Sequence, residues 1–151
     1  MRARAWAVLA AALLVVQPAT AHADARAAVK FYADSGDSCP HGVTEGVLDW
    51  VEGPVVKPVV RVDGSLSDSG PLSVCRADDM YSRASFTAYN GTGVVHSESV
   101  KADDQKIAFS FALADPAGVT AIDRVVVRVC RYSDTPIGIS YCGPAATYKR
   151  P

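Results

Sequence analysis

From Lys106 to Leu113 the chain reads Lys-Ile-Ala-Phe-Ser-Phe-Ala-Leu, with a large apolar residue at every second position. A two-residue period puts Ile107, Phe109, Phe111 and Leu113 on one face. Lys106, Ala108, Ser110 and Ala112 fall on the other, the pattern of a half-buried β-strand. The pattern recurs. Val60, Val62 and Leu66 alternate with Arg61, Asp63 and Ser65, behind Pro58 at the strand entrance, where proline is tolerated. Val125, Val127 and Val129 alternate with Arg124, Val126 and Arg128. Helical periodicity is nearly absent, and its best candidate, Val43 to Val51, is short and carries Gly46.

Weaker strand patterns cover Val29 to Ala33, Val47 to Val51, Leu72 to Val74, Ala84 to Tyr89 and Val94 to Val100. Asn90-Gly91, between the last two, is the strongest hairpin signal, because both turn positions favour positive φ. Seven or eight short strands, separated by Gly, Pro, Asp and Ser clusters, predict an all-β chain. The expected architecture is an antiparallel, immunoglobulin-like β-sandwich, with a small closed β-barrel as the alternative. There is no internal repeat and no low-complexity segment.

The first 23 residues have a different logic. Arg2 and Arg4 precede the apolar run Ala5 to Val16, and Ala21-His22-Ala23 supplies small residues where a signal peptidase reads. That order predicts a secretory signal peptide over residues 1–23, with residues 24–151 as a single domain. The run is too short for a membrane anchor. Without Arg2 and Arg4 the mature part has 13 basic against 16 acidic side chains, a formal charge of −3. This balance argues against nucleic acid and against an anionic membrane surface as partners.

All four cysteines, Cys39, Cys75, Cys130 and Cys142, lie in the mature part. An even count in an exported chain predicts two disulfides. No Cys/His spacing suits zinc. Cys130 is out of step with Val125, Val127 and Val129, and Cys75 with Leu72 and Val74, so staples outside the core are expected. Cys130–Cys142 would close a terminal hairpin across Ser133-Asp134-Thr135-Pro136, leaving Cys39–Cys75. A bulge would flip the phase, so Cys75–Cys130 stays open as the alternative.

Catalytic chemistry is sparse. His96-Ser97-Glu98 has the residue types of a relay, but adjacent strand residues face opposite ways. There is no nucleophile elbow. His41, in Cys39-Pro40-His41-Gly42, reads as a turn residue, and both histidines are expected to be exposed and structural. The aspartates Asp34, Asp37, Asp63, Asp68, Asp78, Asp79, Asp103 and Asp104 all fall in expected loops, where Asp is a common turn former. None has calcium-loop spacing. Glu45, Glu52 and Glu98 are the glutamates of the chain. Phe109 and Phe111 are core by phase. Tyr132, Tyr141 and Tyr148 gather near the C-terminal hairpin, where edge packing or a modest binding face would account for them.

The run Ile122-Asp123-Arg124-Val125-Val126-Val127-Arg128-Val129-Cys130-Arg131, followed by Tyr141-Cys142-Gly143, resembles the ending of small exported proteins of high-GC actinomycetes. An Ala/Val/Arg/Asp-rich composition with Asn90 as the sole asparagine agrees with it. The resemblance covers about thirty residues and implies a secreted, two-disulfide β domain with no catalytic residues to carry over. Actinomycete subtilisin inhibitors and enediyne-carrier apoproteins also hold two disulfides in a small domain, but their cysteine spacing differs from this one.

The sequence therefore predicts a non-enzymatic extracellular binding domain, without cofactor or metal, whose partner is a protein or a polysaccharide. An inhibitor or toxin-like effector acting through Cys75-Arg76 is the second reading, and a small hydrolase the third.

Overall fold

The computed structural model describes residues 26–37, 41–51, 57–68 and 79–151, which form nine strands and no helix. The strands are β1 (Arg26–Asp34), β2 (Val43–Val51), β3 (Val59–Ser67), β4 (Met80–Asn90), β5 (Gly93–Ala102), β6 (Lys106–Ala114), β7 (Arg124–Ser133), β8 (Tyr141–Cys142) and β9 (Ala146–Lys149). All pairings are antiparallel. One sheet runs β1-β2-β3-β6. The other runs β5-β4-β7, with β8 and β9 both pairing the far side of β7. The two sheets pack as a sandwich, not a closed barrel. Apart from β1, the order β2-β3-β6 against β5-β4-β7-β9 is that of A-B-E against C′-C-F-G in immunoglobulin-type domains.

The alternating positions deliver the core. Val60, Val62, Leu66, Leu113, Val125, Val127 and Val129 are fully buried, joined by Leu48, Trp50, Ala84, Phe86 and Ala88. Phe86 lies at the centre, in edge-to-face contact with Phe31, Phe109 and Phe111 at 5.5, 5.4 and 5.3 Å between ring centroids. Such pairs add to the stabilisation from burying the rings.

The helix candidate Val43 to Val51 is a strand throughout. Thr44, Leu48 and Trp50 point inward at period two, and Gly46 has a packing reason. Phe31, Gly46, Gly64 and Phe109 form one row across the four strands of the first sheet. A Cβ on Gly46 would stand 2.8 Å from Phe31 Cε1, and one on Gly64 would stand 2.9 Å from Phe31 Cζ. The glycines leave room for the rings to lie flat over the sheet, the close approach that glycine within a strand often marks.

The β4–β5 hairpin forms between the expected strands, but its turn lies one residue later than expected. Asn90 pairs with Gly93, so Gly91-Thr92 is the loop, and of the pair Asn90-Gly91 only Gly91 has positive φ, at 54°. Positive φ at the first loop position alone suits a type II′ turn. Asn90 is employed elsewhere, its Nδ2 donating to the Ala121 carbonyl at 2.8 Å. Strands β8 and β9 and the start of β1 exceed the seven or eight strands expected. Leu72 to Val74 lies outside the described residues.

Two side chains close the seams between the sheets. Tyr148 Oη accepts from the Tyr32 amide at 2.9 Å and donates to the Tyr32 carbonyl at 2.6 Å, standing in for a ladder partner at the β1 edge. At the opposite seam His96 Nδ1 accepts from the Ala114 amide at 3.2 Å, at the β6 edge. Free edges invite pairing with other chains, and these bonds occupy some of their groups.

Candidate interaction surface

Strands β4 and β7 bury Ser82, Ala84, Phe86 and Ala88 and Val125, Val127 and Val129, so their intervening residues face solvent on the outside of the second sheet. Register lines these residues up in rows. Lys101, Arg83, Cys130 and Cys142 lie side by side across β5, β4, β7 and β8. The next row is Ser99, Ser85 and Arg128, then Ser97, Thr87, Val126 and Thr147, then Tyr89, Arg124 and Lys149. Tyr81 and Tyr132 pair beyond Arg83 and Cys130. Five cations share this face, and none of its outward strand positions carries a carboxylate. Asp103 and Asp123, at the strand ends, pair with Lys101 and Arg124, both at 3.1 Å.

The aromatic rings of this face are engaged. Tyr81 and Tyr132 stack at 5.4 Å, the Lys101 ammonium sits 3.8 Å from the Tyr81 centroid, and the Arg83 guanidinium lies 5.4 Å from that of Tyr132. Arg124 covers Tyr89 at 4.5 Å. Cation–π contacts of this kind hold long cationic side chains in place at little cost in solvation. Arg128 is held by Nε donating to the Gly143 carbonyl at 3.1 Å.

The outer face of the first sheet is different. Lys30, Arg61 and Lys106 there are balanced by Glu45, Asp49 and Asp63, and Lys106 pairs with Glu45 at 3.6 Å. Over Gly46 and Gly64 lies an open depression of about 490 Å³, lined by Lys30, Glu45, Val47 and Ser65.

The Cys130–Cys142 bridge is formed between directly opposed residues of β7 and β8. It closes the loop 134–140, whose tip shows Ile137 at 97% and Ile139 at 81% exposure. Beside it, burial raises the Tyr141 phenol above its usual pKa; the Asp37 carboxylate adds to the rise and Arg131 opposes it. Cys39 and Cys75, with Arg76, lie outside the described residues.

The other sequence candidates are scattered. His96 and Glu98 share a face and pair at 3.4 Å, while Ser97 bonds Thr87 on the opposite face, so the three do not meet. His41 is half-buried beside Gly42. Asp63 is a strand residue, not a loop residue. Asp68 is no turn former: it is buried, its carboxylate paired with the fully buried Arg131 and accepting from Ser82 Oγ at 2.6 Å and the Asp104 amide at 3.2 Å. Asp103 and Asp104 do occupy a turn, with Asp104 at φ 49°. Asp34, at the end of β1, accepts from the Gly36 amide at 2.9 Å, and Asp37 accepts from Ser35 Oγ at 2.9 Å. Asp79 lies just ahead of β4, its carbonyl accepting from the Asp134 amide at 3.1 Å. Glu52 and Asp78 lie outside the described residues. Among the described residues, no three His, Cys, Asp or Glu side chains are grouped to hold a metal, and no helix is long and apolar enough to cross a membrane.

Sequence reading missed the basic face and the Arg131–Asp68 pair. Arg131 had a signal, since it continues the inward phase of Val125, Val127 and Val129. The face had none within one strand, because it exists only once β5, β4, β7 and β9 are paired in register. Comparison of the chain with family models, curated proteins and solved structures found no match.

Proposed function

We propose that the protein is a secreted, non-enzymatic binding domain that engages an extracellular partner through the outer face of β5-β4-β7-β9. The observation that carries this reading is the one-sided gathering of Arg83, Lys101, Arg124, Arg128 and Lys149 on a chain whose mature net charge is negative. Chance scatter of surface charge mixes both signs, as the outer face of the first sheet does. The face is rigid, since it is built on strands and its long side chains rest on tyrosine rings or a carbonyl. Preformed surfaces lose little conformational entropy on binding. The apolar run and small-residue motif of residues 1–23 and the Cys130–Cys142 bridge support export to an oxidising compartment.

Co-sedimentation of the purified domain with insoluble extracellular wall material tests this. The domain is expected to sediment, and the variant Arg83→Ala/Arg128→Ala to stay in solution. The variant Lys30→Ala/Lys106→Ala, altered on the other sheet, is expected to sediment like the wild type. Equal behaviour of the two variants would refute the reading.

The disulfide-closed loop supports a second reading, an effector or inhibitor of another protein. Two exposed isoleucines on a stapled tip form a shape that fits an apolar pocket, and interfaces gather such anchors at their centre. The variant Ile137→Asp/Ile139→Asp abolishes partner binding if this reading holds and leaves co-sedimentation unchanged if the basic face is the working surface.

A further inference from the structure

We infer that the partner of the basic face is a linear anionic polysaccharide, lying diagonally across the sheet from Lys101 to Lys149. This rests on the binding-domain reading above and names its ligand chemistry. Lys101 and Arg83 are neighbours across β5 and β4, Arg128 lies one strand and one row further, and Arg124 and Lys149 are neighbours across β7 and β9. At strand spacings of about 4.8 Å and a rise of about 3.4 Å per residue, Arg83 to Arg128 is a step of about 8 Å. The whole track is about 25 Å long. Among the described residues, Arg83, Arg128 and Lys149 form no ion pair, so they hold charge that no internal carboxylate neutralises.

Three features favour an anionic glycan over other polyanions. Between the cations run hydroxyls, Ser85, Thr87, Ser97, Ser99 and Thr147, which both donate and accept and so match sugar hydroxyls. Five cations over about 25 Å are sparser than the charge of a duplex, about one per 1.7 Å of its axis. The tyrosines are covered, Tyr81 by Tyr132 and Lys101 and Tyr89 by Arg124, which denies unstacked bases the aromatic platforms that single-stranded nucleic acid uses. The bound groups are therefore carboxylates or sulfates spaced along a sugar chain, each meeting a cation while the intervening hydroxyls meet serine and threonine.

The test uses the full mature protein with four probes: polygalacturonate, dextran sulfate, neutral dextran and single-stranded DNA, titrated across a range of salt. Binding to at least one of the two anionic glycans is expected, with none to neutral dextran and weaker binding to DNA at equal charge concentration. Affinity should fall steeply with salt. Arg83→Ala/Arg128→Ala should weaken glycan binding about tenfold near 50 mM salt and lower the slope of log K against log salt by about two, one per lost contact. Lys30→Ala/Lys106→Ala should change neither. Thermal melting shows that each variant is folded. No binding of either anionic glycan at about 20 mM salt overturns the inference, as does an unchanged slope in the Arg83/Arg128 variant. DNA binding as tight as glycan binding would make nucleic acid the occupant and overturn it too, and equal binding of neutral dextran would remove the role of charge. If these fail while wall co-sedimentation still depends on Arg83 and Arg128, the binding face stands and only its ligand is misassigned.

Discussion

Arg131 is fully buried, and so are its partners Asp68 and Ser82, so the sandwich carries an ion pair inside one end of its core. Arg131→Met keeps most of the apolar stem and deletes the guanidinium. The Asp68 carboxylate then stays in a dry site without its guanidinium partner, still accepting from Ser82 Oγ and the Asp104 amide. Breaking a buried pair from one side costs about 3–5 kcal/mol, because the remaining charge is uncompensated. A domain of this size has about 5–15 kcal/mol of stability in all, so the variant should lose roughly a fifth of it or more. The melting temperature should drop by about 10–20 °C. Removing both charges is a different matter. Arg131→Met/Asp68→Leu removes both charges of the pair, and apolar replacement of buried pairs is often neutral or stabilising. The double variant should therefore recover most of the loss, short of about 1 kcal/mol for the Ser82 hydroxyl left without its partners. Urea denaturation of the wild type, both single variants and the double variant, with disulfides intact, gives the complete cycle. A cost below about 1 kcal/mol for Arg131→Met, or a double variant no more stable than the singles, would refute the reasoning.

Three further outcomes follow from the same geometry. Cys130→Ala/Cys142→Ala should cost about 3 kcal/mol for a bridge closing a loop of sequence separation 12, and non-reducing peptide mapping should recover a Cys130–Cys142 peptide and no Cys75–Cys130 peptide. The Asp115 carboxylate titrates below the usual carboxylate range, because the Thr120 side chain and the Ala117, Thr120 and Val119 amides bond its charged form. Its contribution to the order of the 115–120 loop is present above the unfolded-state value and disappears as pH falls through the lowered one, so side-chain NMR should show a depressed midpoint, and an ordinary midpoint would contradict the loop geometry. His96→Ala removes the acceptor for the Ala114 amide and should cost about 1 kcal/mol by thermal melting, the loss expected of a structural histidine.

Period two told a great deal about this fold. It placed Ile107 to Leu113, Val60 to Leu66 and Val125 to Val129 correctly, because burial on one face leaves a direct imprint on a single strand. It also put Cys130 outside the Val125–Val129 face, and the bridge to Cys142 lies there. It failed where the imprint is weak or non-local. Gly46 looks like a helix or strand fault in isolation, and its reason, the Phe31 ring, belongs to another strand. Strand β9 is four residues long, and only Ala146 and Tyr148 face inward, too little for a pattern. Arg131 kept the inward phase, but a charged residue is read as outward unless its partner is known, and Asp68 is 63 positions away. Net charge is silent about a single face for the same reason. A total of −3 averages a balanced sheet, acidic turns and a basic sheet, and a partner meets only one of these surfaces.

Lysine footprinting of the domain bound to wall material tests the central claim most directly. Lys101 and Lys149 lie on the basic face, while Lys30 and Lys106 lie on the opposite sheet, and all four are exposed in the free protein. Acetylation read by mass spectrometry should slow at Lys101 and Lys149 on binding and stay unchanged at Lys30 and Lys106. Protection of Lys30 and Lys106 with Lys101 and Lys149 still reactive would place the partner on the other sheet and contradict the account.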